Sequence, residues 1–238
     1  MIKTETIEYN SGDNIFQGTI CFDDEIIELK PGVLVVHMFK GHTDFEVNKA
    51  KELAELGYVG FAIDMYGKEF HGVSPEDARV LMNELNANRP LLLERILLAL
   101  ETLKVHSQVD KNKLGGIGFC FGGKCVLDLA RANAEIKGVV SFHGVYDKPP
   151  IEQSSSIKPS ILVLHGWDDP LGTPSQLLEL ANELTERKAD WQILSFGNTG
   201  HSFANPAANS PESGLVYNEL SNNRAWVSMK NFLKEMFL

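Results

Sequence analysis

The feature that most constrains the fold is an alternation of short, strongly apolar runs with longer amphipathic stretches. Continuous runs of Val, Ile, Leu and Phe are typical of parallel strands that are covered on both faces. The stretches between them carry helix-start signals such as Ser74-Pro75. This order predicts βαβ crossovers, and therefore an α/β fold with a doubly wound, mostly parallel sheet. The predicted strands are 33–38, 58–63, 114–119, 138–142, 160–165 and 191–196.

The remaining segments complete this prediction. Two β-rich runs, 3–9 and 16–22, flank the turn-rich Ser11-Gly12-Asp13-Asn14, which predicts an N-terminal antiparallel hairpin. Gly57 is typical of the residue that follows a helix. No repeat or linker divides the sequence, so we expect a single domain over residues 1–238. The predicted helices are 45–56, 75–86, 89–103, 124–131, one that starts at Thr173-Pro174 and a last one that includes 226–236.

Composition excludes several classes of function. The 238 residues include 22 basic and 32 acidic side chains, for a net charge of −10, whereas nucleic-acid binding needs clustered Lys and Arg. No apolar stretch reaches the roughly 18–20 residues that span a bilayer, and the N-terminus has no apolar core typical of a secretory signal. Three cysteines form no disulfide framework in a chain of this length. We therefore expect a cytoplasmic protein without a nucleic-acid or membrane partner.

The glycine-rich segment Gly118-Phe119-Cys120-Phe121-Gly122-Gly123 lies between a predicted strand and a predicted helix. This is the context of the nucleophile elbow G-x-S-x-G, with cysteine in the position of serine. Glycines allow the strand and the helix to approach closely, and the helix N-terminus favours a thiolate at Cys120. The alternative is a turn in which Cys120 packs between two phenylalanines without reacting.

Two other predicted strands end in polar residues. His165-Gly166-Trp167-Asp168-Asp169 closes one strand, and Gly200-His201 follows the next. Together with Cys120 they give the order nucleophile, acid, histidine, which is that of the α/β-hydrolase fold. The spacing alone leaves Asp168 and Asp169 open as the acid, and either of them could instead be a turn carboxylate or a helix N-cap.

These segments resemble those of the dienelactone hydrolase family, over nearly the whole chain from residue 3 to residue 237. The G-x-C-x-G-G elbow is the most specific part of the resemblance. It implies an α/β-hydrolase fold and hydrolysis of a lactone or activated ester through an acyl-cysteine intermediate, with no cofactor. The family's H-G-x-x-D pattern selects Asp169 as the acid, and its G-H-x-F pattern matches His201.

The sequence departs from this family at three positions. Where characterised members have a glutamate implicated in activating the thiol, the chain has Met38, which cannot accept a proton. The two arginines that bind a substrate carboxylate in members acting on dienelactone correspond here to Lys68 and Asn205. Lysine is a point charge and asparagine is neutral, so bidentate recognition by arginine is not replaced.

Residues around the predicted triad complete the site. An oxyanion hole needs two backbone donors, which we expect at Phe121, after the nucleophile, and at Phe39, after the first long strand. Tyr66, His143 and Tyr146 lie in loops that could line a substrate pocket. Histidines that close strands show no spacing typical of metal ligands, so we expect no metal: His37, His143, His165 and His201.

Two functions from different classes fit these residues. The first is a cysteine-dependent carboxylic-ester hydrolase that acts on a small-molecule ester or lactone, as a monomer or a dimer. The second is a non-catalytic hydrolase-like scaffold that binds a small acyl or aromatic ligand, with Cys120 as a redox-sensitive pocket thiol. A carboxylate and a histidine at the two other strand ends favour the first, because a binding module does not need them.

We predict that neutral esters and lactones are hydrolysed better than their carboxylated analogues. One charge-assisted hydrogen bond contributes ~1.5–3 kcal/mol, or about one to two decades in binding, and Lys68 and Asn205 offer at most one. The net charge of −10 also repels anions. The test compares kcat/KM for a neutral lactone and a carboxylated one at low and high salt. A strong preference for the carboxylated lactone, lost in Lys68→Ala, would contradict the prediction.

Overall fold

The computed structural model describes residues 1–150 and 154–238, in which eight strands form one sheet. These strands are β1 (Ile2–Ser11), β2 (Asn14–Asp23), β3 (Lys30–Val36), β4 (Val59–Ala62), β5 (Val109–Phe119), β6 (Gly138–Phe142), β7 (Ser160–Gly166) and β8 (Trp191–Phe196). Their order in the sheet is β1-β2-β4-β3-β5-β6-β7-β8. The predicted α/β fold, with a mostly parallel sheet and an N-terminal antiparallel hairpin, is confirmed.

Six α-helices and a short ribbon accompany this sheet in the described residues. The helices are α1 (Asp44–Glu55), α2 (Pro75–Ala87), α3 (Arg89–Lys104), α4 (Phe121–Arg131), α5 (Pro174–Glu186) and α6 (Glu219–Met236). The ribbon pairs β9 (Asn209–Ser210) with β10 (Leu215–Val216). No helix in the described residues is long and apolar enough to cross a bilayer.

The contacts divide the chain into two compact units, and the first is Met1–Gly116. Within it, β1 pairs antiparallel with β2, and Ser11 lies opposite Asn14, so that Gly12 and Asp13 form a two-residue turn. Gly12 has a φ of 57°, which such hairpin turns require. β2 pairs antiparallel with β4, and β3 pairs parallel with β4.

Both ends of α1 are set by local sequence in this first unit. Thr43 caps the N-terminus and forms a reciprocal capping box with Glu46. At the other end Gly57 has a φ of 87°, and the amides of Gly57 and Tyr58 bond back to the carbonyls of Ala54 and Leu53. This is a Schellman motif, and it confirms that Gly57 follows the end of the helix.

The second unit is Ile117–Leu238, and it holds three parallel strands, β6, β7 and β8. Helix α4 packs against β6, and α6 packs against β6 and β7. The residues that follow β5, β7 and β8 include Cys120, Asp169 and His201. Ligands of open α/β sheets bind beyond the carboxyl ends of the strands, so this is where a site is expected.

Some element boundaries differ from those predicted. β5 begins at Val109 rather than at residue 114, because its first half is exposed and polar and lacks the apolar run on which the prediction rests. Helix α4 begins at Phe121 rather than at residue 124. Its first two positions after Phe121 are glycines, which have low helix propensity and hide the start of the helix in the sequence.

Close packing at the start of α4, against β5 on one side and β6 on the other, leaves no room for side chains at two glycines. A Cβ atom on Gly118 would lie 2.1 Å from the Gly122 carbonyl oxygen, and one on Gly123 would lie 2.7 Å from the Ser141 hydroxyl oxygen. A contact of 2.1 Å with backbone cannot be relieved by a side-chain rotation. Glycine at 118 is therefore a steric requirement of the turn that carries Cys120.

We predict that Gly118→Ala destabilises the protein strongly, because β5 and α4 must move apart. Overpacking of this kind typically lowers the free energy of unfolding by about 1–3 kcal/mol. We expect Gly118→Ala at the upper end of this range or beyond it, because the clash is with backbone, which cannot rotate away. The matched control is Gly197→Ala, where a Cβ atom would meet nothing within 4 Å. The measurement is the Tm of both variants, and equal Tm values would contradict the steric argument.

Candidate active site

Cys120 lies at the turn between β5 and α4 in a strained backbone conformation. Its φ of 55° and ψ of −114° are unusual for a residue with a side chain. The Cys120 amide bonds to the Phe142 carbonyl oxygen at 3.0 Å, which holds the turn against the neighbouring strand. Cys120 is partly exposed, whereas Cys21 and Cys125 are buried. The turn thus presents a thiol at the N-terminus of α4.

Asp169 and His201 form a buried pair in the same unit. His201 Nδ1 lies 2.7 Å from Asp169 Oδ2, and both side chains are inaccessible to solvent. The other carboxylate oxygen, Oδ1, accepts hydrogen bonds from the amides of Leu171, at 2.7 Å, and Gly172, at 3.0 Å. Asp168, by contrast, is exposed. Of the two adjacent acids, Asp169 is the one that is hydrogen-bonded to His201 in the described residues.

The second ring nitrogen of His201 is free for chemistry. Its Nε2 atom is buried, and apart from an interaction with Cys120 it has no hydrogen-bond partner among the described residues. Burial lowers the pKa of His201, but the negative charge of the nearby Cys120 sulfur and the hydrogen bond with Asp169 raise it more, to about 10. A protonated imidazole beside a thiol favours the thiolate, which is the nucleophilic form of cysteine in general.

His143, which we expected to line the pocket, packs directly on His201. The two ring centroids are 5.0 Å apart at an interplanar angle of 65°, and Phe203 contacts the His143 ring at 5.2 Å. Burial and the charge of His201 hold the pKa of His143 well below its usual value. His143 is therefore neutral, and its role towards a substrate stays a prediction.

Tyr146 is the other predicted lining residue of this unit. Its hydroxyl lies 3.0 Å from His165 Nδ1, and burial together with the charge of Asp169 raises the pKa of Tyr146 well above its usual value. Tyr146 also lines a cavity of about 560 Å³ with residues of α5, and none of the three predicted catalytic residues lines that cavity. Substrate contact by Tyr146 stays a prediction.

The two residues in the positions of the family's arginines have other partners. Lys68 forms an exposed ion pair with Glu8. The side-chain oxygen of Asn205 accepts a hydrogen bond from the Ala207 amide at 3.0 Å, within the turn that follows His201. The ion pair occupies the Lys68 ammonium, whereas the contact of Asn205 uses only its oxygen, and a substrate carboxylate would need the side-chain NH₂ group.

Two predicted residues of the first unit lie together. The Tyr66 hydroxyl donates a hydrogen bond of 3.0 Å to the Phe39 carbonyl oxygen. The Phe39 amide makes no hydrogen bond in the described part of the chain. Tyr66 therefore supports the Phe39 backbone, and the Phe39 amide is available as a donor.

The sequence analysis missed two residues that contact the segment around Phe39. Glu46 is fully buried, and its Oε1 accepts a hydrogen bond from the Met38 amide at 3.3 Å. The Arg79 guanidinium lies 5.1 Å from the centroid of the Phe39 ring. The capping-box spacing of Thr43 and Glu46 was the available signal for Glu46, whereas nothing in the sequence indicates Arg79.

Metal chemistry has no obvious ligand set here. In residues 1–150 and 154–238, no group of three or more His, Cys, Asp or Glu side chains is arranged to hold a metal ion. The buried histidines instead contact aromatic rings, backbone groups and carboxylates.

We predict that Asp169→Asn lowers hydrolytic kcat by about two to four orders of magnitude, since an amide neither orients nor stabilises the imidazolium as a carboxylate does. Asp168→Asn is the matched control. We expect its kcat to stay within about twofold of wild type, because the Asp168 side chain is exposed and the hydrogen bond to His201 Nδ1 comes from Asp169. The assay is steady-state ester hydrolysis. A larger loss in Asp168→Asn would overturn the assignment of the acid.

Comparisons with known proteins agree with this geometry. The sequence profile of the dienelactone hydrolase family matches residues 18–237. A crystal structure of a dienelactone hydrolase-like promiscuous phosphotriesterase from metagenomic libraries is 32% identical, with a TM-score of 0.93 over 100% of this chain and 99% of that one.

Two relatives are similar in sequence. The carboxymethylenebutenolidase of Rhodococcus opacus is 28% identical over 180 residues, which cover 72% of this chain and 69% of that one. An uncharacterised protein of Caenorhabditis elegans is 37% identical over 151 residues, or 61% of this chain and 94% of that one. The match of the family profile to most of the chain, on an α/β-hydrolase fold, means that this protein belongs to the dienelactone hydrolase family and is a hydrolase.

Proposed function

We propose that the protein hydrolyses a neutral carboxylic ester or lactone through an acyl intermediate on Cys120. The observation that carries this proposal is His201, which is bound at Nδ1 by Asp169 and interacts with Cys120, while its buried Nε2 has no other described partner. Leaving a buried polar atom unpaired is costly, so a nitrogen kept for Cys120 alone supports a role in proton transfer.

Acylation would begin with the Cys120 thiolate. Its sulfur attacks the carbonyl carbon, a C–S bond forms, and the carbonyl electron pair moves to oxygen. The backbone amide of Phe121 would donate a hydrogen bond to that oxyanion, and the Phe39 amide stays the predicted second donor. When the C–O bond breaks, His201 Nε2 gives its proton to the alkoxide, which leaves as an alcohol or, for a lactone, stays attached to the acyl group.

Deacylation would return the enzyme to its starting state. Neutral His201 takes a proton from water through Nε2, and the water oxygen attacks the thioester carbonyl. The C–S bond then breaks, the carboxylic acid leaves, and the thiolate–imidazolium pair is restored. Because this pair needs no second base, Met38 in place of the family's glutamate is compatible with activity.

The charges around the site support a neutral substrate. Lys68 is paired with Glu8, and the oxygen of Asn205 is bound to the Ala207 amide. A carboxylated lactone would meet a paired lysine and a neutral amide in place of the two bidentate partners that arginines provide. The chain's net charge of −10 also repels an anionic substrate and so favours a neutral one.

Phosphotriester hydrolysis is a second candidate. The observation that favours it is the full-length likeness to a promiscuous phosphotriesterase, at 32% identity. A phosphotriester is also neutral, and its phosphoryl oxygen could accept the same two amide hydrogen bonds. Turnover of paraoxon that disappears in Cys120→Ala would support it, and absence of turnover would leave the carboxylic ester as the proposal.

We predict that p-nitrophenyl butyrate gives a burst of p-nitrophenol and an adduct of one butyryl group on Cys120. The adduct should appear by intact-protein mass spectrometry and map to the Cys120 peptide. Cys120→Ala should abolish both signals, whereas Cys125→Ala, a change five residues further along the same helix, should retain them. Turnover without an adduct on Cys120 would contradict the acyl-cysteine mechanism, and absence of any turnover or adduct would favour the non-catalytic scaffold.

A single domain, a cytoplasmic location and a monomeric or dimeric state remain predictions. The three predicted catalytic residues, Cys120, Asp169 and His201, all lie within residues 117–238, whereas the predicted donor Phe39 lies within residues 1–116.

A further inference from the structure

The backbone of His201 is held at both of its polar groups by residues near the β9–β10 ribbon. Its amide donates a hydrogen bond to the Gly214 carbonyl oxygen at 2.8 Å, and its carbonyl oxygen accepts one from the Val216 amide at 3.1 Å. Leu215, which lies between these two partners, forms a parallel bridge with His201. The predicted catalytic histidine is therefore bonded to the ribbon through its main chain and to Asp169 through its ring.

The chain that follows His201 is strained and is held by further backbone hydrogen bonds. Ser202 has a φ of 62°, which is unusual for a residue with a side chain. Its carbonyl oxygen accepts a hydrogen bond from the Asn205 amide at 2.9 Å, and the Phe203 carbonyl oxygen accepts one from the Asn218 amide at 3.1 Å. Strain of this kind persists where the surrounding structure fixes the backbone, and it is common at functional sites.

Three backbone segments lie in direct contact at glycines, namely at Gly166, Gly200 and Gly214. A Cβ atom on Gly166, at the end of β7, would lie 2.5 Å from the Gly200 carbonyl oxygen. A Cβ atom on Gly200 would overlap the Gly214 carbonyl oxygen. Neither contact could be relieved by rotating a side chain, because both acceptor atoms belong to the backbone. This stack of glycines therefore sets the spacing between the strand that leads to Asp169, the segment that carries His201, and the ribbon.

Gly214 also packs against the loop of the predicted acid. It has a φ of 69°, in the region that favours glycine, and it follows the short 3-10 turn Pro211–Ser213. A Cβ atom on Gly214 would lie 3.0 Å from Pro170 Cγ and 3.1 Å from Pro170 Cδ. Pro170 is the residue directly after Asp169. One glycine therefore bonds to the backbone of His201 and packs on the neighbour of Asp169.

We propose that Gly214 is a positioning residue, through which the ribbon sets the distance between Asp169 and His201. This role rests on the proposed function, because it requires His201 to act on Cys120. The Gly214 carbonyl holds the His201 amide, and the missing side chain of Gly214 lets Pro170 pack closely, so both loops are fixed from one point. All of these residues lie within the unit Ile117–Leu238, and Gly214 does not need to touch the substrate.

Gly214→Ala tests this role with a single added methyl group. To relieve the contact with the Pro170 ring, either the acid loop moves away or Gly214 moves together with the His201 amide. Both movements change the 2.7 Å contact between Asp169 Oδ2 and His201 Nδ1. Gly12→Ala is the matched control. Gly12 has a φ of 57°, and a Cβ atom there would meet nothing within 4 Å, so this variant carries comparable backbone strain without a new contact.

The experiment measures ester hydrolysis and the rate at which iodoacetamide alkylates Cys120 at neutral pH, followed by peptide mapping. In Gly214→Ala we expect kcat to fall about 10- to 100-fold and KM to change less than about threefold, because a small misplacement of a catalytic group mainly affects the chemical step. Alkylation of Cys120 should slow about three- to tenfold, because a displaced His201 stabilises the thiolate less. Gly12→Ala should lower the Tm while kcat and the alkylation rate stay within about twofold of wild type.

Two further variants test the contacts on either side of Gly214. Pro170 is exposed, and Pro170→Ala removes the ring atoms that a Cβ atom on residue 214 would meet. The double variant Gly214→Ala/Pro170→Ala should therefore recover kcat to within about threefold of Pro170→Ala alone, as expected for two residues in contact. Val216→Pro removes the amide that donates to the His201 carbonyl oxygen and leaves Gly214 unchanged. It should reproduce the falls in kcat and in alkylation, and it decides the question if Gly214→Ala gives no folded protein.

The outcomes separate this role from the proposed function. If wild type forms no acyl adduct on Cys120, the proposed function fails, and the alkylation rates alone decide whether the ribbon positions the histidine. If wild type is acylated but Gly214→Ala and Val216→Pro keep kcat and alkylation within about twofold of wild type, the positioning role is overturned while the proposed function stands. Faster alkylation of Cys120 together with the two buried cysteines, as from general loosening, would also overturn it. Failure of Pro170→Ala to restore kcat would overturn the part of the role that acts through the acid loop.

Discussion

The close approach of a strand and a helix at Cys120 is the constraint on which the candidate site depends. Gly118 leaves no space for a side chain against the Gly122 carbonyl, and only this proximity lets β5 pass directly into α4. Gly123 likewise lets α4 pack closely on Ser141 of β6. The resulting turn holds Cys120 at a φ of 55°, a conformation that costs on the order of 1–3 kcal/mol. The surrounding packing maintains this strain, and its consequence is a partly exposed sulfur at a helix N-terminus.

A second constraint concerns the buried histidines of the described residues, because their surroundings decide which of them is protonated. Burial favours the neutral form of every one, and it lowers the pKa values of His37, His143 and His165. His201 alone has a carboxylate on one side and the Cys120 sulfur on the other, so its pKa is raised to about 10. Among these buried histidines, positive charge is thus favoured on the imidazole that interacts with both Cys120 and Asp169.

Much of this arrangement can be predicted from the local sequence. The helix starts at Ser74 and Thr173, and the glycine after α1, lie where the sequence predicts them, because caps depend on residues within one turn of the helix end. The first half of β5 was missed because its residues are polar and exposed. Glu46 was missed as a support of Met38 because the contact joins a helix to a preceding turn, and helical spacing does not report it.

The sequence by itself determined the α/β fold, the order of the elements and the three strand ends that carry Cys120, Asp169 and His201, because periodicity and turn chemistry are local. It left two adjacent acids as alternatives on spacing alone. Only the tertiary structure shows that Asp169 is buried and hydrogen-bonded to His201, whereas Asp168 is exposed. Only it shows which histidine is charged, since that depends on which charges folding brings near each ring and how completely it excludes water.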